Sequence, residues 1–259
     1  MMQDVGARFR LTVVGCSGSF PGPDSAASCY LVQAEHAGRT WSLVLDLGNG
    51  SFGQLQRYVD PLAVDAVLLS HLHTDHCVDM ASYHVFRKWH PAGQPDVLPV
   101  WGPEGTAVRL NAAYDLPTLP GMREEFAVST YGDPFEIGPF SVAPIPVDHP
   151  PPAYGLRISV GDKVLAYSGD TGVTPTLLDL AAGVDLFLCE ASFRATDDNP
   201  PSLHLTGQEA GETAARTGVK RLVLTHVPPW HDPKIMLKEA VQAFDGPTDL
   251  AAPGTVYTI

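Results

Sequence analysis

The chain has 259 residues, 44% of them apolar and 17% charged, which is enough for one large globular domain or two small ones. It has no apolar run of the roughly 18 residues that a membrane-spanning helix needs, and its first residues lack the basic start and cleavage site of a secretory signal. The net charge of −13, with scattered basic residues, argues against a surface that binds long nucleic acids. The sequence therefore predicts a cytoplasmic protein that does not enter membranes.

Short apolar or alternating runs predict ten strands along the chain. They are Phe9–Val14, Cys29–Ala34, Ser42–Asp46, Ala66–Ser70, Val97–Trp101, Phe140–Val147, Gly155–Val160, Lys163–Ser168, Leu186–Glu190 and Arg221–Thr225. Helical periodicity predicts five helices, at Cys77–Lys88, Thr106–Ala113, Thr176–Ala182, Gly207–Thr217 and Lys234–Phe244. Strands alternate with helices in both halves, and no linker divides the chain. This pattern predicts a four-layer α/β sandwich formed by residues 1–259 as one domain, with two sheets face to face and helices outside.

Three histidines and an aspartate lie in LLSHLHTDHC, directly after the strand predicted at Ala66–Ser70. His71 and His73 are two residues apart, so in an extended segment both imidazoles point the same way and reach one divalent ion. Asp75 and His76 follow a turn and are aimed at a neighbouring ion. The segment supplies about half of two metal sites and completes neither.

The missing ligands are expected where other strands end, since loops at strand ends commonly carry functional sites. His149, Asp170 and His226 each follow an apolar strand closely. An aspartate in a G-D-T-G turn is by itself an ordinary turn residue, but the combination favours a metal centre. Histidine and aspartate ligands accept zinc, manganese or iron; Zn²⁺ is the expected ion, and Mn²⁺ is also compatible.

The four cysteines (Cys16, Cys29, Cys77 and Cys189) lie far apart and form no C-x-x-C pair. This spacing is typical of buried apolar side chains in a reducing compartment. Cys77 directly follows the histidines, so a role at the site stays open for it alone. His84 shares a predicted helix face with apolar residues and is interpreted as a packing residue.

The pattern H-x-H-x-D-H, with the later histidines and aspartate, resembles the metallo-β-lactamase superfamily, from VVGCSGS to LTHVPPW. The resemblance implies an αββα sandwich with two metal ions at one edge. It implies seven ligands: His71, His73 and His149 for one ion, Asp75, His76 and His226 for the other, and Asp170 bridging both.

Within that superfamily, the chain resembles most the branch of ribonuclease Z and phosphodiesterases. L-D-L-G-N-G at Leu45–Gly50 is similar to an early motif of the branch, which implies that Asp46 supports the metal-binding histidines. C-E-A-S at Cys189–Ser192 and H-L-T at His204–Thr206 look like its later motifs. VPPW after the last histidine resembles atypical bacterial cyclic-nucleotide phosphodiesterases.

Ribonuclease Z enzymes carry a long tRNA-binding arm between the third histidine and the bridging aspartate. Here His149 and Asp170 are only 21 positions apart, which leaves room for one hairpin. Together with the acidic charge, this spacing predicts an armless relative that acts on a small phosphodiester.

The predicted reaction opens a cyclic nucleotide, 3′,5′-cAMP first, to its 5′-monophosphate by in-line attack of hydroxide at two ions. Two divalent ions, two aspartates and one hydroxide leave about one positive charge to meet an anionic diester. His204 is the predicted general acid, with Asp75 sharing in proton handling and Glu190 orienting His204. The alternatives are that His204 is a polar residue beside a helix cap and that Glu190 is a structural acid.

Other functions stay open at this point. They are a tRNA 3′-processing endonuclease, a phosphoribosyl cyclic phosphate phosphodiesterase, and a binding protein without catalysis. Trp230, Trp89 and Phe86 are candidates for stacking on a base, although aromatic residues of this kind more often serve ordinary packing. Relatives of this kind are often dimers, so a homodimer is compatible with the resemblance.

Overall fold

Two seven-stranded sheets form the centre of the structure, a computed structural model that describes residues 9–259. The strands of the first sheet, in spatial order, are β14 (Val256–Thr258), β1 (Arg10–Gly15), β2 (Cys29–His36), β3 (Arg39–Leu45), β4 (Ala66–Leu68), β5 (Leu98–Gly102) and β6 (Phe126–Thr130). Those of the second are β13 (Thr248–Leu250), β12 (Leu222–Thr225), β11 (Leu186–Glu190), β10 (Lys163–Tyr167), β9 (Ala153–Val160), β8 (Phe140–Val147) and β7 (Phe135–Ile137).

Each sheet joins an antiparallel part to a parallel part. In the first sheet, β14, β1, β2 and β3 pair antiparallel, and β3 to β6 pair parallel. In the second, β7 to β10 pair antiparallel and β10 to β13 pair parallel. The parallel parts bring several carboxyl ends of strands to one edge, which is where α/β folds place their loops and sites.

The helices cover the outer faces of the two sheets, with one exception. They are α1 (Ser51–Leu55), α2 (Thr74–Cys77), α3 (Met80–Lys88), α4 (Thr106–Ala113), α5 (Pro175–Ala181), α6 (Gly207–Thr217) and α7 (Pro233–Ala243). The exception is the short α2, which carries Asp75 and His76 at one edge. Side chains of α1, α3 and α4 pack with the first sheet, and those of α5, α6 and α7 pack with the second. The predicted four-layer α/β sandwich is therefore confirmed.

Alternation along the strands explains why both faces of each sheet are apolar. In β2, Tyr30 and Val32 point into the core between the sheets, whereas Leu31 packs under the outer helices. In β11, Leu188 faces the central core and Phe187 faces the helices. A strand buried on both sides needs apolar residues at every position, and these two runs supply them.

The helix predicted at Cys77–Lys88 is wrong in its continuity, because α2 ends at Cys77 and α3 begins at Met80. The backbone N–H of Asp79 donates to the carbonyl of Leu47 at 3.1 Å. It therefore does not make the hydrogen bond that would continue α2 into α3. The Asp79 carboxylate accepts in turn from the N–H of Phe52 at 2.9 Å. These two hydrogen bonds join the segment after β3 to the loop that carries His71, His73, Asp75 and His76, called the histidine loop below.

Four strands lie outside the predicted set: β6, β7, β13 and β14. Three of them have only three residues, and all are partly exposed, so their own apolar pattern is weak. Among residues 9–259, no helix is long and apolar enough to cross a membrane.

We expect Val142→Ala to lower the free energy of unfolding by about 1.5–3 kcal/mol, because Val142 is fully buried between the sheets. Val256→Ala is the matched control, since Val256 is 53% exposed, and its effect should stay below about 0.5 kcal/mol. Urea denaturation of both variants measures the difference. Equal effects would contradict the assignment of Val142 to the central core.

Candidate metal centre and active site

Seven side chains from four loops converge at one edge of the sandwich. His71, His73, Asp75 and His76 follow β4, and the other three, His149, Asp170 and His226, follow β8, β10 and β12. All except His73 are buried. The structure arranges them in two adjoining groups, each with its donor atoms within 4.8 Å of one another.

The first group consists of His71, His73 and His149. His73 Nδ1 lies 3.0 Å from Nε2 of His71 and 3.2 Å from Nε2 of His149. The rings meet nearly edge to face, with interplanar angles of 73° to 84°. Three imidazole nitrogens facing one point provide the donor set of a divalent-ion site.

The second group consists of Asp75, His76, Asp170 and His226. His226 Nε2 lies 3.0 Å from His76 Nε2, 3.1 Å from Asp75 Oδ2 and 3.4 Å from Asp170 Oδ2. Two imidazoles and two carboxylates are again donors that zinc and manganese accept.

Asp170 stands between the two groups. One of its carboxylate oxygens, Oδ2, lies 3.7 Å from His71 in the first group, and Oδ1 lies 3.3 Å from His76 in the second. Among the residues that the structure describes, Oδ1 is buried without a hydrogen-bond partner. A buried carboxylate oxygen without a hydrogen-bond partner destabilises the folded protein, and a cation next to this oxygen would remove that cost. The donor chemistry and this oxygen together fit the binding of metal ions.

Three of the imidazoles, those of His71, His149 and His226, also make contacts through Nδ1, on the side of the ring away from the other donor atoms. Nδ1 of His71 lies 3.1 Å from Ser70 Oγ, and Nδ1 of His149 donates to the carbonyl of Leu203 at 2.7 Å. Nδ1 of His226 lies 2.9 Å from Ser192 Oγ. Because these nitrogens are engaged outward, the Nε2 atoms carry their lone pairs toward the centre of the site, as metal-binding histidines do.

Asp46 accepts several hydrogen bonds beside these histidines. Its carboxylate accepts from His76 Nδ1, Ser70 Oγ and the Tyr167 hydroxyl, each at 2.7 Å, and from the Ser70 N–H at 2.6 Å. Asp46 is fully buried, so a charge at this position requires that many donors. These contacts place Asp46 beside the histidines, and its supporting role stays a prediction.

The segment that contains Asp46 runs so close to the histidine loop that only a glycine fits at position 48. A Cβ on Gly48 would lie 1.9 Å from the carbonyl oxygen of Asp75, which no side chain tolerates. Asp46 itself has a φ of 56°, in the left-handed region that most residues avoid. The L-D-L-G-N-G motif therefore serves a close packing of two backbones.

Glu190 supports the opposite side of the site. It accepts from the Thr171 N–H at 2.7 Å, the Ser192 hydroxyl at 2.8 Å and His204 Nδ1 at 2.9 Å. The His204 ring lies 5.3 Å from that of His149 and 5.5 Å from that of His226. Glu190, His204 and His226 also form a third set of donor atoms within 4.8 Å. Glu190 is thus placed both to orient His204 and to brace the buried strand end.

Burial and neighbouring charges shift the pKa values of these side chains in different directions. Burial lowers the pKa of His71 well below its ordinary value. Burial would also lower the pKa of His204, but the Glu190 carboxylate outweighs it and raises that pKa to about 9. Burial would raise the pKa of Asp170, but His226 and His76 hold it well below its usual range. The site therefore contains a neutral imidazole, an ionised carboxylate and a protonated His204.

Three side chains that contact the site, Ser70, Tyr167 and Ser192, were not predicted from the sequence. All three are adjacent to predicted strand ends, but nothing in their own pattern distinguishes them from other serines and tyrosines. Their role depends on partners distant in the chain, as with the 121 positions between Tyr167 and Asp46.

Other candidates lie apart from the two groups. The Cys77 thiol is buried, 3.5 Å from the carbonyl of Leu72, and burial raises its pKa to about 11. His84 is buried against Glu125 at 3.1 Å, in the packing position predicted for it. Phe86 packs edge-on against Phe52, and Trp89 is 72% exposed at the end of α3.

The chain is similar in sequence to a known protein family and to several individual proteins. The family model described as a beta-lactamase superfamily domain matches residues 42–227. An uncharacterized protein of Mycobacterium tuberculosis is 46% identical over 243 residues, covering 92% of this chain and 88% of that protein.

Two further relatives carry names that describe hydrolysis. The probable metallo-hydrolase YhfI of Bacillus subtilis is 28% identical, and its crystal structure superposes with a TM-score of 0.85, covering 97% of this chain and 99% of that one. Ribonuclease Z of Mycobacterium marinum is 30% identical over 247 residues, covering 85% of this chain and 86% of that protein.

We expect Asp46→Asn to weaken metal binding by roughly 10- to 100-fold, because an amide NH₂ would oppose the donors that now orient His76 and Ser70. Competition with a chromogenic chelator measures the affinity. Asp65→Asn is the matched control, since Asp65 accepts from the Ser42 N–H at the opposite end of β4. Wild-type metal affinity in Asp46→Asn would contradict the supporting role.

Proposed function

This chain belongs to the β-lactamase superfamily as a metallo-hydrolase of the ribonuclease Z-like and phosphodiesterase branch, and on that premise we propose that it opens cyclic nucleotides. The proposed substrate is 3′,5′-cAMP and the product is the 5′-monophosphate. The observation that carries the proposal is the pairing of two adjoining donor groups with His204 at their margin.

The two groups are proposed to hold two divalent ions, Zn²⁺ first and Mn²⁺ as an alternative. His71, His73 and His149 would hold one ion, and Asp75, His76 and His226 the other, with Asp170 between them. When bound, such ions neutralise the phosphodiester and make water a strong nucleophile at neutral pH. Only two carboxylates stand among these ligands, so net positive charge remains for an anionic substrate.

His204 is the proposed general acid for the leaving ribose oxygen. Its Nδ1 is engaged with Glu190, which leaves Nε2 as the donating atom. The Glu190 carboxylate raises the pKa of His204 to about 9, which favours the protonated imidazole that a general acid needs. His204 also lines a cavity of about 270 Å³ with Gly172, Asn199 and Ser202. Asp75, already within 3.1 Å of His226, is proposed to share in proton handling.

A small substrate is proposed because of the short segment between His149 and Asp170. Strands β9 and β10 fill that interval as a single antiparallel hairpin, with their ends joined at Val160 and Lys163. The Tyr154 N–H donates to the Ser70 carbonyl at 3.0 Å, so the hairpin packs against the site itself. This arrangement, with the net charge of −13, supports a small diester over a tRNA precursor.

The substrate class is tested by incubating the metal-loaded protein with cAMP, cGMP, a phosphoribosyl cyclic phosphate and a precursor tRNA. We expect cAMP to be opened with the highest kcat/KM, because the site is built for one small cyclic diester. Cleavage of the tRNA alone would refute the proposal, and preference for the phosphoribosyl compound would make the enzyme a phosphoribosyl cyclic phosphate phosphodiesterase.

The general-acid role predicts that His204→Ala lowers kcat for cAMP by roughly 10²- to 10⁴-fold with unchanged metal content. With bis(p-nitrophenyl) phosphate, whose leaving group departs without a proton, the same variant should keep nearly wild-type kcat. His36→Ala, at an exposed position on β2, is the control and should change neither rate. Loss of metal from His204→Ala, or equal losses with both substrates, would show that His204 has another role.

A further inference from the structure

Two aromatic rings stand together at the margin of the metal centre without a structural role in the core. Phe20 and Trp230 have ring centroids 4.8 Å apart, with an interplanar angle of 44°. Phe20 is 37% exposed and Trp230 is 64% exposed. Large aromatic side chains gain by burial, so a paired exposed set next to a site indicates a surface that a ligand covers.

The loop that carries Phe20 is fixed to a predicted metal ligand. The Ser19 N–H lies 3.4 Å from His226 Nε2, so Phe20 is the residue next to one that contacts the second group. Gly18 packs against the same histidine, where a Cβ would lie 2.1 Å from the His226 carbonyl oxygen. The Gly18 N–H donates to the Val227 carbonyl at 3.2 Å.

The loop that carries Trp230 begins at the same histidine. The His226 N–H donates to the Cys16 carbonyl at 3.0 Å, and Ser17 bridges Val227, so the two loops run side by side. Pro228 and Pro229 lead to Trp230, and the proline rings restrict the backbone that presents the indole. The two loops that carry the rings are therefore joined to each other beside His226 by backbone hydrogen bonds.

We infer that Phe20 and Trp230 form a stacking platform for the base of the nucleotide, with Trp230 as the principal contact. The inference rests on the proposed function, because a phosphate at the two donor groups places its attached nucleoside within reach of these loops. An indole presents a wide π-face that any purine or pyrimidine can cover, and Phe20 supports the ring from the side. The platform selects substrates that carry a base over base-free cyclic phosphates.

The other candidate aromatics do not share this position. Phe86 contacts Phe52 and belongs to the core under the first sheet. Trp89 is as exposed as Trp230, but it follows the last turn of α3, nine residues long, which leads away from the histidine loop. Trp89 is therefore a matched control for Trp230, with the same side chain and similar exposure.

The test compares Trp230→Ala with Trp89→Ala on two substrates, cAMP and 1-O-methylribose 3′,5′-cyclic phosphate, which has no base. We expect Trp230→Ala to raise KM for cAMP about tenfold with little change in kcat, and to leave the base-free compound unaffected. Trp230→Phe should restore most of the affinity, and Trp89→Ala should match the wild type. Equal changes for both substrates, or none for either, would overturn the platform.

A binding measurement separates this inference from the proposed function. Titration of the wild type with AMP should quench tryptophan fluorescence, whereas ribose 5-phosphate should not, and Trp230→Ala should lose the AMP signal. If no cyclic nucleotide is hydrolysed but this quenching is observed, the proposed reaction fails and the platform stands. If Trp230→Ala changes only the oligomeric state in size-exclusion chromatography, the rings form a subunit contact and the platform is wrong.

Discussion

The buried carboxylate of Asp46 joins the two sheets and the histidine loop at one point. It follows β3 of the first sheet and accepts the Tyr167 hydroxyl from the end of β10 in the second. It also accepts the ring N–H of His76 and both donors of Ser70. A buried charge is tolerated only when its donors stay in place, so sheet packing and imidazole orientation depend on each other.

Glu190 repeats this logic on the other side of the site, at the end of β11. It holds Ser192, which contacts His226, and it holds His204, the proposed proton donor. Asp46 and Glu190 therefore lie outside the two groups that contain the seven predicted ligands, and both contact histidines. Asp170, which lies between both groups, has the opposite environment, with a buried oxygen left for a cation. The surroundings of these buried acids therefore differ: hydrogen-bond donors surround Asp46 and Glu190, whereas Asp170 keeps one buried oxygen without a partner among residues 9–259.

Much of the fold and of the site could be predicted, and the failures have physical causes. The apolar runs at β2 and β11 are strong because both faces of these strands are buried. The short strands β7, β13 and β14 have no such pattern, and their pairing partners make them strands. The break before Met80 could not be predicted from the local sequence, because Asp79 donates a hydrogen bond to Leu47, which is distant in the chain.

The sequence by itself determined which side chains are available for metal chemistry, since the H-x-H-x-D-H spacing and the strand ends are local features. It also determined that nothing longer than a hairpin separates His149 from Asp170. Only the tertiary structure decided how the donors divide into two groups and which ring nitrogen faces inward. Those choices depend on contacts such as His76 with His226, 150 positions apart, and on buried serines whose partners come from other strands. Local pattern carries no information about such pairs, because packing of the two sheets creates them.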